Sequence, residues 1–374
     1  MPRLVSQREY SYWQTIFLRH WALFFFLLIA AITTLISKDM RQSVNIQLPL
    51  LGGLFLYVLS VDTINTSKKI GVVVLVFVLI MFAQVAASWR ALLLVVDGEP
   101  LKAVKAMDSF LLIVPNDILV LSVVMPLLLG MAWMGARWLR VLFVCCFLAA
   151  LIVSEKLQSR QAVVLLLAGQ LLVVAMLGRR WFVPAALLLL IVGIVLDGLS
   201  GWWLAKKIFL FSRSYVWHAA WVMFLDRPWV GQGPGLFGDV YFAFLAKAGY
   251  VLDAMPDRRP MLWAHNLYLE QLAERGVGGL LSLLSLLCAS LFYAWRAWSQ
   301  SHHTSALRGL SAGIFSAVAM LAVSGIAEAS LSRVWVAVSL MLLAAFAITA
   351  DNISNQNAAT AISAPATTAS NAQE

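Results

Sequence analysis

The sequence predicts an all-α polytopic membrane protein of about ten transmembrane helices, with room for up to about twelve, and one large extramembrane insert holding short amphipathic helices. Three observations carry this. Of 374 residues, 62% are hydrophobic and only 12% are charged, against about 25% charged in soluble domains. The apolar runs are long enough to cross a hydrocarbon core of about 30 Å as helices, which lipid enforces by offering no partner to free backbone groups. The reactive side chains, by contrast, gather in one stretch between Gly201 and Gly279.

Taken in order, the spans fall at about 20–36, 46–62, 70–89, 118–134, 138–153, 161–178, 181–198, 279–296, 309–326 and 334–350. Pro49 and Gly52 interrupt the second, 90–96 extends the third, and 88–117 leaves room for one or two further helices. The chain thus divides into an N-terminal bundle of about seven helices (1–198), the insert (199–278), about three C-terminal helices (279–350) and a tail (351–374). The tail is Ala, Ser, Thr and Asn with almost no charge, too little apolar surface to order itself, so disorder is expected there. Cys145, Cys146 and Cys288 lie within spans without metal-ligand spacing and read as small buried apolar residues. The first apolar run starts near Trp21, is of full span length and lacks a small-residue cleavage site, so no cleavable signal is expected.

Short-loop charge sets the orientation. One side receives Arg3, Arg8 and Arg19, then Lys68 and Lys69, Arg137 and Arg140, Arg179 and Arg180, and finally Arg296 and Arg308. That side is expected to be cytoplasmic, with both termini on it and the insert on the opposite face. The net charge of +9 combines these loops with attraction for an anionic lipid or substrate. No aromatic-interleaved basic stretch points to nucleic acid.

Within the insert, SRSYVWHAAWVMFLDRP reads as a helix capped by Ser212 or Ser214 and stopped by Pro228. Arg213, Trp217, Trp221 and Phe224 share a face suited to the membrane interface; Arg213 either stacks on Trp217, reaches headgroups or binds a ligand. In GQGPGLFG, Gly231, Gly233, Gly235 and Gly238 permit positive φ. The loop is either a tight re-entrant turn or a cradle of amide hydrogens for phosphate. Residues 247–261 carry Lys247, Asp253, Asp257, Arg258 and Arg259 and read as a mobile, solvated loop. HNLYLEQLAERG then opens a second helix, with Gly276, Gly278 and Gly279 kinking its join to span eight. His265 stands at its start, beside Asn266, Tyr268 and Glu270. A neutral imidazole there could accept a proton or be a satisfied structural group. Arg160 opens span six on the same side as the insert, where a charge at the hydrocarbon boundary needs a partner or a function.

Trp217–Phe237 (W…A…DRPWVGQGPGLF), His265–Leu281 (HN-YLE-LAE-G-GGLL) and the Ser159–Arg160 pair together resemble the O-antigen ligase superfamily. Its members include lipopolysaccharide O-antigen ligases, O-antigen polymerases and some protein O-oligosaccharyltransferases. The resemblance covers about 80 contiguous residues; elsewhere only the hydropathy pattern agrees, and this chain has fewer spans than relatives tend to have. It implies a glycosyltransferase of a Gram-negative inner membrane, working at the periplasmic face among membrane lipids. The donor is an undecaprenyl-pyrophosphate-linked glycan and the acceptor a hydroxyl of lipid A–core; no nucleic acid, metal or cofactor is involved, and the anomeric centre inverts. His265 matches the essential histidine, and Arg160 and Arg213 match the pyrophosphate-binding arginines. Gly233, Gly235, Asn266, Tyr268 and Glu270 are supporting candidates. Guanidinium suits a diphosphate because it is always charged and forks onto phosphate oxygens. A metal route would draw on Asp226, Asp239, Glu270 and Glu274, but no DxD-like element accompanies them. A polymerase or a protein-glycosylating enzyme is the alternative reading, and a lipid-linked sugar or anion transporter the third. No repeat of the transporter kind is visible.

Overall fold

A computed structural model describes residues 7–98, 115–199, 213–251, 261–302, 305–326 and 328–363. The described residues form α1 (Gln7–Leu35), α2 (Met40–Thr63), α3 (Ser67–Val96), a 3₁₀ turn (Pro115–Ile118), α4 (Leu119–Met134), α5 (Arg137–Lys156), α6 (Arg160–Leu177) and α7 (Arg179–Leu199). They continue with α8 (Ser214–Asp226), α9 (Phe237–Lys247), α10 (Leu267–Gln300), α11 (Ala306–Ser324) and α12 (Val334–Ser363). The chain is an all-α polytopic membrane protein. Among the described residues nine helices are long and apolar enough to cross a bilayer. The seventh expected span, 181–198, lies on α7, whose described apolar stretch covers only Arg180–Ile191.

Three expectations change. Pro49 does not interrupt the second span, because α2 runs through it; helices in lipid tolerate proline, since the freed carbonyl finds other partners there. The expected break between the second insert helix and span eight is present: Gly276 is not helical (φ 65°, ψ −163°), and the two helices that meet there are taken together as α10. The tail is helical beyond Ala350, as far as Ser363, because its alanines are the strongest helix formers and α12 already supplies the nucleus. Cys145 and Cys288 are exposed rather than buried, on helix faces available to lipid. The expected loop residues 252–260, the 88–117 helices in their 99–114 part and the end of the tail lie outside the described residues.

Two compact units divide the chain: Met1–Leu51, Phe211–Ala289 and Gly325–Val334 make one, and Gly52–Leu210, Ser290–Ser324 and Trp335–Glu374 the other. In the second unit α4, α6 and α11 pack closely through small residues. Gly130 lies against the backbone of Gly309 and Gly313, and Gly169 against Pro126 and Met320. The Ser316 hydroxyl donates to the Gly169 carbonyl at 2.8 Å. Backbones drawn together by small residues are the usual packing device in lipid, where no hydrophobic force separates helix from solvent. Arg160 is the first residue of α6, after Ser159 at the N-cap position. Its neighbour Gln161 donates to the carbonyl of Ser324, the last residue of α11, at 3.2 Å.

The first unit holds the insert. Tyr215, Val216, Ala219, Ala220 and Met223 form the buried face of α8 and pack on Phe237, Tyr241, Phe244 and Leu245 of α9, with Ala264 and Ala273 of the second insert block. The apolar positions recur every three to four residues on α8, one stripe of an amphipathic helix. Ser214 does not cap this helix. It is the first helical residue, and Arg213 occupies the cap position without a side-chain cap bond.

Candidate functional site

The start of α10 fixes the geometry. The Asn266 side-chain oxygen accepts from the amides of Tyr268 and Leu269, at 3.0 Å each, satisfying two of the amide donors that a helix N-terminus leaves open. Its amide nitrogen donates to the Ile326 carbonyl at 2.8 Å, and the Leu267 amide donates to the Gly325 carbonyl at 2.7 Å. The segment between α11 and α12 is thereby tied to the head of α10. Glu270, one turn further on, accepts at Oε1 from the Ser330 hydroxyl (2.7 Å) and the Leu331 amide (3.2 Å). Asn266 and Glu270 support the site by holding Ile326, Ser330 and Leu331 in place.

His265 precedes the cap with φ 52°, a left-handed conformation that is uncommon for a residue with a side chain. Its imidazole, 17% exposed, lies with Nδ1 3.2 Å from Glu328 Oε1. Glu328 is buried and surrounded by cations: Arg213 lies 2.6 Å from Oε2 and Arg333 2.8 Å from Oε1. The Arg333 guanidinium also stands over the Trp263 ring, 4.5 Å from its centre, a cation–π arrangement. Trp263 Nε1 comes within 3.3 Å of His265 Nδ1.

The charges settle the proton positions. Burial works to raise the Glu328 pKa, but its hydrogen bond to His265 and the charges of Arg333 and Arg213 prevail and hold it at about 2. His265 is pushed below the ordinary histidine value, chiefly by burial, with Glu328 opposing. His265 is therefore neutral at pH 7, so the charges that keep Glu328 ionised are the two guanidiniums. An ionised carboxylate only accepts, so Glu328 requires the hydrogen on Nδ1 and leaves Nε2 with its lone pair. The indole N–H and that hydrogen cannot both point at each other, and the bond to the carboxylate prevails because it is charge-assisted. With one anion, two guanidiniums and a neutral imidazole, the cluster carries one net positive charge. Arg213, 30% exposed, carries part of it to the surface.

The glycine-rich loop has a different task from phosphate binding. Its Gln232 and Gly233 amides donate to the carbonyls of Ala273 and Glu274, at 2.9 and 3.0 Å. The Gly235 and Phe237 amides bond to the Glu274 carboxylate. The acceptor that these amides meet is the protein's own Glu274. Gly233 and Gly235 have positive φ, and the loop packs against the α1–α2 turn, where Gln42 and Ser43 donate to the Gly235 and Pro234 carbonyls at 3.0 and 2.7 Å. Of the two readings open in the sequence, the turn prevails, because these amides are already spent.

Of the expected site residues, Arg213, His265, Asn266 and Glu270 converge here, and Tyr268 contributes its amide to the cap. Arg160 belongs to the second unit. Three of the four carboxylates weighed for a metal have protein partners: Asp226 with Lys247 and Gln232, Glu270 with Ser330, Glu274 with the loop. Among the described residues no three His, Cys, Asp or Glu side chains gather as a metal site. Glu328 and Arg333 were not singled out in the sequence. The signal was present, since the expected positive-inside orientation puts 328–333 on the face of the insert. A carboxylate and an arginine there, between two spans, stand out among small residues. A multi-pass membrane protein with a carboxylate-held imidazole between arginines is the class that fold and site define. The chain matches no family model, and no curated protein matches it significantly.

Proposed function

We propose that this protein is a glycosyltransferase of the O-antigen ligase kind. It transfers a glycan from undecaprenyl pyrophosphate to a hydroxyl of lipid A–core at the periplasmic face of a Gram-negative inner membrane. The observation that carries the reading is the carboxylate-held imidazole: Glu328, itself paired with Arg213, fixes Nδ1–H of His265 and leaves Nε2 basic. His265 takes the acceptor hydroxyl proton on Nε2 as the oxygen attacks the anomeric carbon. The new C1–O bond forms on the face opposite the breaking C1–O bond to pyrophosphate, so the centre inverts, and undecaprenyl pyrophosphate leaves with the electron pair. Arg213 stabilises the charge that grows on the leaving diphosphate, an electrostatic role that needs no metal. The sequence resemblance assigns Arg160 to the same diphosphate.

The test is transfer by purified protein in lipid nanodiscs, given a polyprenyl-pyrophosphate glycan and lipid A–core. Attachment of intact polymer to lipid A–core is the expected result. Growth of the lipid-linked glycan without attachment indicates a polymerase, and transfer to Ser or Thr of a secreted protein a protein-glycosylating enzyme; either overturns the lipid A–core acceptor. No transfer to any of the three overturns the enzyme.

A further inference from the structure

The exposed stripe of α8 begins with Ser214 and His218 and turns apolar towards its C-terminal end. Trp221 is 44% exposed, Leu225 58% and, in the turn after the helix, Trp229 78%. Trp221 and Leu225 are one turn apart on α8, and Trp229 follows them in the turn after the helix. It shares Trp221 with the Arg213–Trp217–Trp221–Phe224 face expected from the sequence, whose other three members are only partly exposed. Val216, Ala219, Ala220 and Met223 point the other way, into the α8–α9 core. An exposed row of two tryptophans and a leucine is what a water-facing surface avoids.

The depth of this row is fixed within its own unit. The Val277 amide donates to the Pro228 carbonyl at 2.8 Å. A Cβ on Gly276 would stand 2.5 Å from the Trp229 carbonyl carbon, so backbone touches backbone at the kink. Gly276 is where α10 changes character. Buried Glu270, Glu274 and Arg275 precede it, and the uncharged run VGGLLSLLSLLCASLFYAW follows. The loop that continues from Trp229 reaches the α1–α2 turn, where Gly233 lies against Ser37. Two independent markers, the entry of α10 and the turn joining two spans, therefore put Trp229 at one membrane boundary. Tryptophan is enriched at that level, where its ring lies among headgroups.

We propose that Trp221, Leu225 and Trp229 form an interfacial anchor. They seat in the headgroup–acyl boundary of the bilayer crossed by α10, and hold the insert at fixed height above the hydrocarbon. The occupant is bilayer lipid, and the argument uses only the membrane-spanning character of the chain, not the proposed reaction.

Nitroxide depth measurements test it. Full-length protein with Cys145, Cys146 and Cys288 changed to Ser is labelled at Trp229→Cys or at Leu225→Cys, and separately at Asp239→Cys on the exposed side of α9. Each is reconstituted in phosphatidylcholine–phosphatidylglycerol nanodiscs. At 229 and 225, oxygen should collide several-fold more often than a nickel chelate, and at 239 the order should reverse. Leu225→Cys stands in if Trp229→Cys disturbs the turn. Nickel access at 225 and 229 equal to that at 239 would overturn the anchor. Spin–spin broadening would overturn it in favour of a second copy. Shielding that appears only after adding undecaprenyl phosphate would overturn it in favour of a polyprenyl groove.

Discussion

His265 carries the densest set of constraints in the molecule, and they make its chemistry separable from its structural part. Its φ of 52° is one that asparagine adopts more readily than most side chains. His265→Asn should therefore fold and cap α10 as before while losing the base, so transfer falls about 10²–10⁴-fold with an unchanged melting temperature. A parallel loss of thermal stability would make His265 a structural residue. Glu328 sets the pH dependence. The base works only when neutral, so activity should fall as pH drops through the His265 pKa, and that acid limb should lie below pH 6.5 because burial lowers the value. Glu328 opposes that lowering, so Glu328→Gln should move the limb further down while the plateau drops, since the Nδ1–H tautomer is no longer enforced. It also leaves Arg213 and Arg333 without their carboxylate, a loss of about 3–5 kcal/mol for a broken buried pair, read by thermal unfolding in detergent. An acid limb that moves up in the Gln variant would overturn the orientation of the pair. Arg213 and His265 were legible in the sequence as isolated candidates. Their joint partner was not, because Glu328 is 63 residues from His265 in sequence and no short motif spans that distance.

The kink in α10 is the element that joins insert to membrane, and it depends on glycine for two reasons at once. Gly276 has φ 65° and ψ −163°, a region essentially restricted to glycine, and its missing side chain lets Pro228 and Trp229 pass against the backbone. Gly231 meets the same requirement two strides along the loop, with φ 67° and no room beside Glu274. Gly276→Ala should cost about 1–3 kcal/mol in backbone strain before the clash with Trp229 is added, and should lower the melting temperature clearly. Gly52→Ala, where a Cβ meets nothing within 4 Å, should be neutral or stabilising by up to about 1 kcal/mol. Equal effects of the two would mean that α10 can straighten. The glycine cluster at the join was readable as a kink, because three glycines in four residues weaken any helix. The task of GQGPG was not readable. Amides free for phosphate and amides spent on Glu274 look identical in one dimension, and only the path of the chain decides between them.

At the scale of the whole chain, length and polarity of the runs announced the helices, because lipid leaves a chain no other economical choice. The same logic leaves orientation to charge. The short loops beside Lys68, Arg137, Arg179 and Arg296 are basic, while the insert and residues 328–333 carry both signs; translocating a short arginine-rich loop is costly, so the basic loops are expected on the cytoplasmic side. This orientation decides whether the proposed chemistry can occur, since glycans on polyprenyl pyrophosphate must meet lipid A–core on the side away from the cytoplasm. Alkaline phosphatase folds actively only outside the cytoplasm, and green fluorescent protein fluoresces well only within it. Phosphatase inserted after Lys247, at the end of α9, should therefore be active, and green fluorescent protein fused after Ser363 should be bright. The reverse pair would put His265 and Glu328 in the cytoplasm. The imidazole pair would survive that result, but its proposed donor and acceptor would not. Substituting Arg179 and Arg180 by Gln should weaken the bias without touching the site, so a mixed phosphatase signal in that variant would assign the orientation to loop charge rather than to the insert itself.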